Sequence, residues 1–157
     1  MDFDWGEIGK IFSYLVPVII LIVVNVFFRK QQEQKKRLTV VRSLLSEIND
    51  NQKLVEAFSL GWQAKKFKTG NWKRNKDKMD YVAPDLRTTL AGAYEIAEEF
   101  NREIESAKKY KSTSYLASIQ VDRLSEPLAR SKQGLEEWLQ LNKGKEKILK
   151  RSRDSAP

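Results

Sequence analysis

The chain has no cysteine and no histidine. The first absence removes disulfides and thiolate nucleophiles; the second removes imidazole bases and, with the first, the usual zinc and haem ligands. A missing cysteine fits a reducing compartment but does not require one. Carboxylates are left for acid–base or metal chemistry, and no glycine-rich phosphate loop, nucleophile elbow or kinase signature accompanies them. Glu95, Glu98, Glu99 and Glu103 fall at helical i, i+3 and i, i+4 spacings. Di-iron helical proteins join such glutamates to histidine and aim them into the core; here they lie mostly off the apolar stripe, as a solvated face does. No catalytic residue, cofactor, metal ligand or small-molecule substrate is expected. Strands are missing from the pattern too: no run of strict alternation occurs, and the periodicity is helical throughout.

Charge is absent from one place only. Residues 11 to 28, IFSYLVPVIILIVVNVFF, hold no ionisable acid or base except Tyr14. Eighteen helical residues span about 27 Å, close to the hydrocarbon thickness of a bilayer. A cleaved signal peptide would carry a basic start, yet Asp2, Asp4 and Glu7 outnumber Lys10, and no small-residue cleavage pattern follows Phe28. A small domain could not cover a helix apolar on every face. The segment therefore predicts a transmembrane helix, with Pro17 tolerated inside it and Asn25 one turn from its basic end. Arg29, Lys30, Lys35, Lys36 and Arg37 follow against Glu33 alone, whereas residues 1 to 10 hold one side-chain cation, Lys10. The positive-inside rule then puts residues 1–10 outside the cell membrane and the remainder in the cytoplasm.

Residues 38 to 157 carry 23 Lys/Arg against 17 Asp/Glu, part of a whole-chain net charge of +8. Such a balance favours acidic partners. A first cytoplasmic helix is expected from about Arg37 to Leu60, with Val41, Leu44, Leu45, Ile48, Val55 and Phe58 on one stripe and a weak spot at Asn49–Asn51. A second starts near Asp80 or Pro84. Its seam, Leu86, Leu90, Ala93, Ala97, Phe100, Ile104 and Ala107, recurs at spacings of 4, 3, 4, 3, 4, 3, the heptad of a packed helix. Turn residues at 111–114 precede a third helical stretch, which Pro127 either kinks or breaks. A basic tail at 143–157 reads as frayed. The expected fold is all-α: one amino-terminal transmembrane helix (11–28), a basic juxtamembrane segment (29–37), then a helical domain (38–142) built as a small antiparallel bundle or a long helical hairpin.

Between the first two cytoplasmic helices, about residues 61–80, lies an expected basic loop. Its centre, KKFKTGNWKRNKDK, sets Phe67 and Trp72 among Lys65, Lys66, Lys68, Lys73, Arg74, Lys76 and Lys78, with Asp77 the one acid. Three readings compete: a solvated loop with its aromatics tucked onto the domain, a contact with anionic lipid, or a contact with nucleic acid or an acidic protein. In plan the chain resembles the b subunit of bacterial ATP synthase, an amino-terminal span with a charged helical remainder. That family is one nearly uninterrupted helix, whereas this chain breaks at KTGNWKRN, YVAP, KSTS and SEP. The expected function is a non-enzymatic single-pass membrane protein whose cytoplasmic helices bind a protein partner, self-associate or scaffold a membrane complex. The alternative is a membrane-tethered binder of anionic lipid or nucleic acid working through residues 65–78.

Overall fold

The structure is a computed structural model that describes residues 5–59 and 65–154, with side chains described for 15–58 and 65–142. Every regular element among these residues is helical: α1 (Trp5–Ser59), α2 (Gly70–Asn75), α3 (Pro84–Lys109), α4 (Thr113–Ser118) and α5 (Ser125–Asp154), with 3-10 turns at Lys76–Lys78 and Val121–Leu124. The chain divides into two compact units, Met1–Arg37 and Leu38–Pro157.

In the first unit, α1 is long and apolar enough to cross a membrane. Its large apolar side chains from Leu15 to Phe28 are 43–68% exposed, on all faces of the helix. Pro17 sits inside it without ending it.

The second unit has its own core, which among the described residues begins at Leu38. Leu38, Val41, Leu44, Ile48 and Val55 come from α1, a stripe at spacings of three, four and seven. Leu90, Ala93, Tyr94, Ala97, Phe100 and Ile104 come from α3; Leu128, Leu135 and Leu139 come from α5. Pro84 opens α3, where its missing N–H has no bond to lose. The three alanines of the seam keep the stripe narrow, and α3 packs most extensively on α5. At Gly134 the approach is close: a Cβ there would lie 2.5 Å from Leu86 Cδ1.

Four details sharpen or revise the sequence expectation. Asn49–Asn51 does not interrupt α1, because the Asn51 amide is engaged with another segment and does not compete for its own backbone. The expected loop contains α2 and a 3-10 turn; its residues 61–64 lie outside the described residues. Pro127 marks a break, with the new helix beginning at Ser125 so that the proline falls in its first turn. The backbone of the basic tail stays helical to Asp154.

Candidate functional site

Residues 65–69 have no regular secondary structure and run between α1 and α3, so their backbone groups need other acceptors and donors. Two asparagines supply them. From α3, Asn101 accepts from the Phe67 N–H (2.6 Å) and donates to the Phe67 carbonyl (2.9 Å). From α1, Asn51 accepts from the Lys68 N–H (2.7 Å) and donates to the Lys68 carbonyl (2.8 Å). One asparagine from each helix thus satisfies the backbone of one strap residue, Asn101 that of Phe67 and Asn51 that of Lys68. The segment is a strap fastened to both helices.

The strap then turns into α2. Thr69 precedes that helix but forms no side-chain cap. Glu47 of α1 takes the role, its carboxylate accepting from the Asn71 N–H (2.8 Å) and the Trp72 N–H (3.2 Å), two of the donors that a helix start leaves free. Glu47 is itself buried, and the developing helix N-terminus favours its negative charge.

The aromatics face inward. Phe67 is buried against Phe100, ring centroids 6.1 Å apart. Trp72 is half-buried and stacks parallel on Tyr94 of α3, centroids 5.1 Å apart at 1°. The Tyr94 hydroxyl is buried and completes no hydrogen bond of acceptable geometry. Burial, with the charge of Glu47 second, pushes its phenol well above the ordinary value.

Of the seven cations, three pair with acids on the flanking helices. Lys66 meets Glu105 at 2.6 Å, Lys68 meets Asp50 at 2.7 Å and Lys73 meets Glu98 at 3.4 Å. A hydrogen bond from Lys68, then its charge, holds the Asp50 carboxyl below its ordinary value; Lys66 does the same for Glu105. Arg74 donates to the Gly70 carbonyl (3.2 Å) and to Asn71 Oδ1 (2.7 Å). Lys65, Lys76 and Lys78 are exposed and form no ion pair with the described residues. Two of the five glutamates of α3, Glu98 and Glu105, thus find partners in the basic stretch.

The other singled-out residues sit as follows. Of the α3 seam, Leu90, Ala93, Ala97, Phe100, Ile104 and Ala107 are buried and Leu86 is half-buried, so the seam is filled from within the chain. Arg29, Lys30, Lys35, Lys36 and Arg37 are all exposed on α1. Glu47, Asn51 and Asn101 carry the site and were not singled out from sequence. Their signal was there for two of them: Asn51 lies on the apolar stripe between Ile48 and Val55, and Glu47 lies beside it.

For other chemistry, no group of three or more acids among the described residues is placed to hold a metal ion. One open cleft of about 230 Å³ lies between the first halves of α3 and α5, floored by Gly92 and Ala93 and rimmed by the Glu126–Arg130 ion pair. No protein-family model, curated protein or solved structure matches the chain.

Proposed function

We propose that this is a single-pass membrane protein whose helical domain, a small bundle on the cytoplasmic side, works by binding another protein and not by catalysis. The observation that carries the reading is the apolar run of α1. Its side chains stand exposed on every face from Leu15 to Phe28, and the domain closes a core that begins at Leu38 and uses none of them. Lipid is the solvent that would cover such a surface at about 25 cal/mol per Å² of apolar area. The five cations at 29–37 support a cytoplasmic domain.

A binding role is supported by what the domain is made of. Without cysteine or histidine, its chemistry would rest on carboxylates, and Glu98 and Glu105 are ion-paired to the strap. The α3 seam is occupied internally, which leaves the outer surfaces of the domain for a partner. Crosslinking of the full chain in native membranes, followed by purification in mild detergent, tests this. A defined companion protein is the expected result. A chain that is only monomeric and alone, or one released from membranes by alkaline carbonate, would defeat the reading.

A further inference from the structure

The contacts within the domain give each helix a direction. On α1, Glu47 accepts from the Trp72 N–H and Asn51 from the Lys68 N–H; on α3, Tyr94 stacks on Trp72 and Asn101 accepts from the Phe67 N–H. Residue numbers rise together along the two helices, so α3 runs parallel to α1 and starts at the Leu38 end of the domain. α5 runs the other way. Gly134 approaches Leu86, and Trp138 packs on Tyr81, just before α3, with ring centroids 5.6 Å apart. The Trp138 indole N–H donates to the Tyr81 carbonyl at 3.4 Å. The carboxyl end of α5 therefore leaves the domain at the end where the chain arrives from residues 29–37.

That end of α5 is long. Sixteen residues follow Trp138 before the helix stops at Asp154, about 24 Å at helical rise. From Phe28, which closes the apolar run, to Leu38 is ten residues of α1, about 15 Å. Among the described residues the last buried side chain is Leu139, and Leu141 just beyond it is 76% exposed, more than any apolar side chain from Leu15 to Phe28. The composition then turns basic: Lys143, Lys145, Lys147, Lys150, Arg151 and Arg153 stand against Glu146 and Asp154. At the helical period, Leu141, Ile148 and Leu149 share one face with Lys145 among them. Lys143, Lys147 and Lys150 share the opposite face at spacings of four and three. Such a pattern suits a helix lying in an interface better than one closing a core.

We propose that residues 141–153 form a basic amphipathic helix that binds an anionic bilayer surface. Leu141, Ile148 and Leu149 enter the boundary between headgroups and acyl chains, and the cationic side chains donate to lipid phosphates. Lys145 has a stem long enough to carry its ammonium from the apolar face to the headgroups. The choice of lipid rests on the membrane-anchored reading above. Ten helical residues tie Leu38 to the apolar run, the overhang of α5 is longer than that tie, and an anchored domain meets its own bilayer at high effective concentration. Nucleic acid would match the charge but leave the apolar face without a partner.

The full chain, which has no native thiol, takes a single environment-sensitive dye at Ser152→Cys, in register with the apolar face. It is reconstituted into phosphatidylcholine vesicles with or without phosphatidylglycerol. The dye emission is expected to shift blue in the anionic vesicles only and to return as salt is raised. Replacing Lys143, Lys147 and Lys150 by Gln should remove the shift, each lysine contributing about fivefold to the partitioning. Ile148→Ser with Leu149→Ser should remove it too and leave the melting temperature unchanged. An unchanged shift in that serine variant would reduce the contact to charge alone, and a lowered melting temperature would assign both residues to the core; either overturns the amphipathic helix. Equal emission in both vesicles, a shift that survives the lysine substitutions, or a shift produced only by added DNA would overturn the lipid contact itself. Alkaline carbonate extraction from the neutral vesicles tests the anchor separately. Release there defeats the anchor, and flotation of the released chain with anionic vesicles still decides the helix.

Discussion

At the scale of single residues, the strap depends on groups whose energetic weight comes from satisfying its backbone. Removing Asn51 or Asn101 leaves an N–H and a C=O of the strap without partners in a part-buried place. Each such loss costs about 1–3 kcal/mol, so Asn51→Ala and Asn101→Ala should each destabilise the domain by about 2 kcal/mol. Urea melts of the full chain in detergent would measure it, and a change below the error of the melt would remove the strap from the account. Ser131 gives the opposite sign. Its hydroxyl is fully buried on α5 and has no partner, so Ser131→Ala should raise stability by about 1 kcal/mol. The ion pairs set a direction in pH. Asp50 and Glu105 have carboxyls held below their ordinary values of 3.8 and 4.5. A depressed carboxyl contributes stability that is present above its ordinary value and is lost as pH falls through the lowered one. The strap should therefore loosen below about pH 4. Both acids are fully exposed, so high salt should blunt the effect. Amide exchange at Phe67 and Lys68 that stays flat between pH 5 and pH 3, after correction for intrinsic rates, would contradict this.

At the scale of elements, the contact between α3 and α5 turns on one glycine. Gly134 interrupts a helix that alanine would favour by about 1 kcal/mol, yet a Cβ there meets the Leu86 side chain at 2.5, 3.3 and 3.4 Å. Overpacking of this kind costs about 1–3 kcal/mol, so Gly134→Ala should be net destabilising. With Leu86→Ala in place the obstacle is gone, and the same change should become stabilising. A double-mutant cycle should show coupling of about 1–2 kcal/mol, and additive effects would mean that the helices separate at no cost. This pair also shows where sequence reading stops. The start of α3 at Pro84, its buried seam and the apolar run of α1 were all legible, because one-dimensional period and composition specify them. That Gly134 approaches Leu86 was not, since the 47 intervening residues carry no signal of which helix faces come together. The three readings of the strap stayed open for the same reason. Seven cations around two aromatics look like a surface for an outside partner, and only the fold reveals Glu98, Glu105 and Asp50 opposite them. Lys111 was invisible in another way: a lysine in a left-handed turn has the same letter as any other.

At the scale of the whole molecule, the two units present different surfaces. The first exposes a continuous apolar surface from Leu15 to Phe28; the second buries its apolar side chains and keeps a net positive surface. Among the described residues a core of some twenty side chains starts at Leu38, and about 120 residues bury roughly two-thirds of their unfolded surface, enough for independent stability. Residues 38–157 made alone should therefore be water-soluble, strongly helical by circular dichroism and cooperative in thermal melting. Their strap amides should be protected from exchange as in the full chain, because Glu47, Asn51 and Asn101 all lie within the fragment. An insoluble fragment, or a soluble one with an unprotected strap, would show instead that the amino-terminal segment completes the fold. In that event the exposed run of α1 would have to be assigned to the protein's own packing, and the case for a bilayer around it would fail with the fragment.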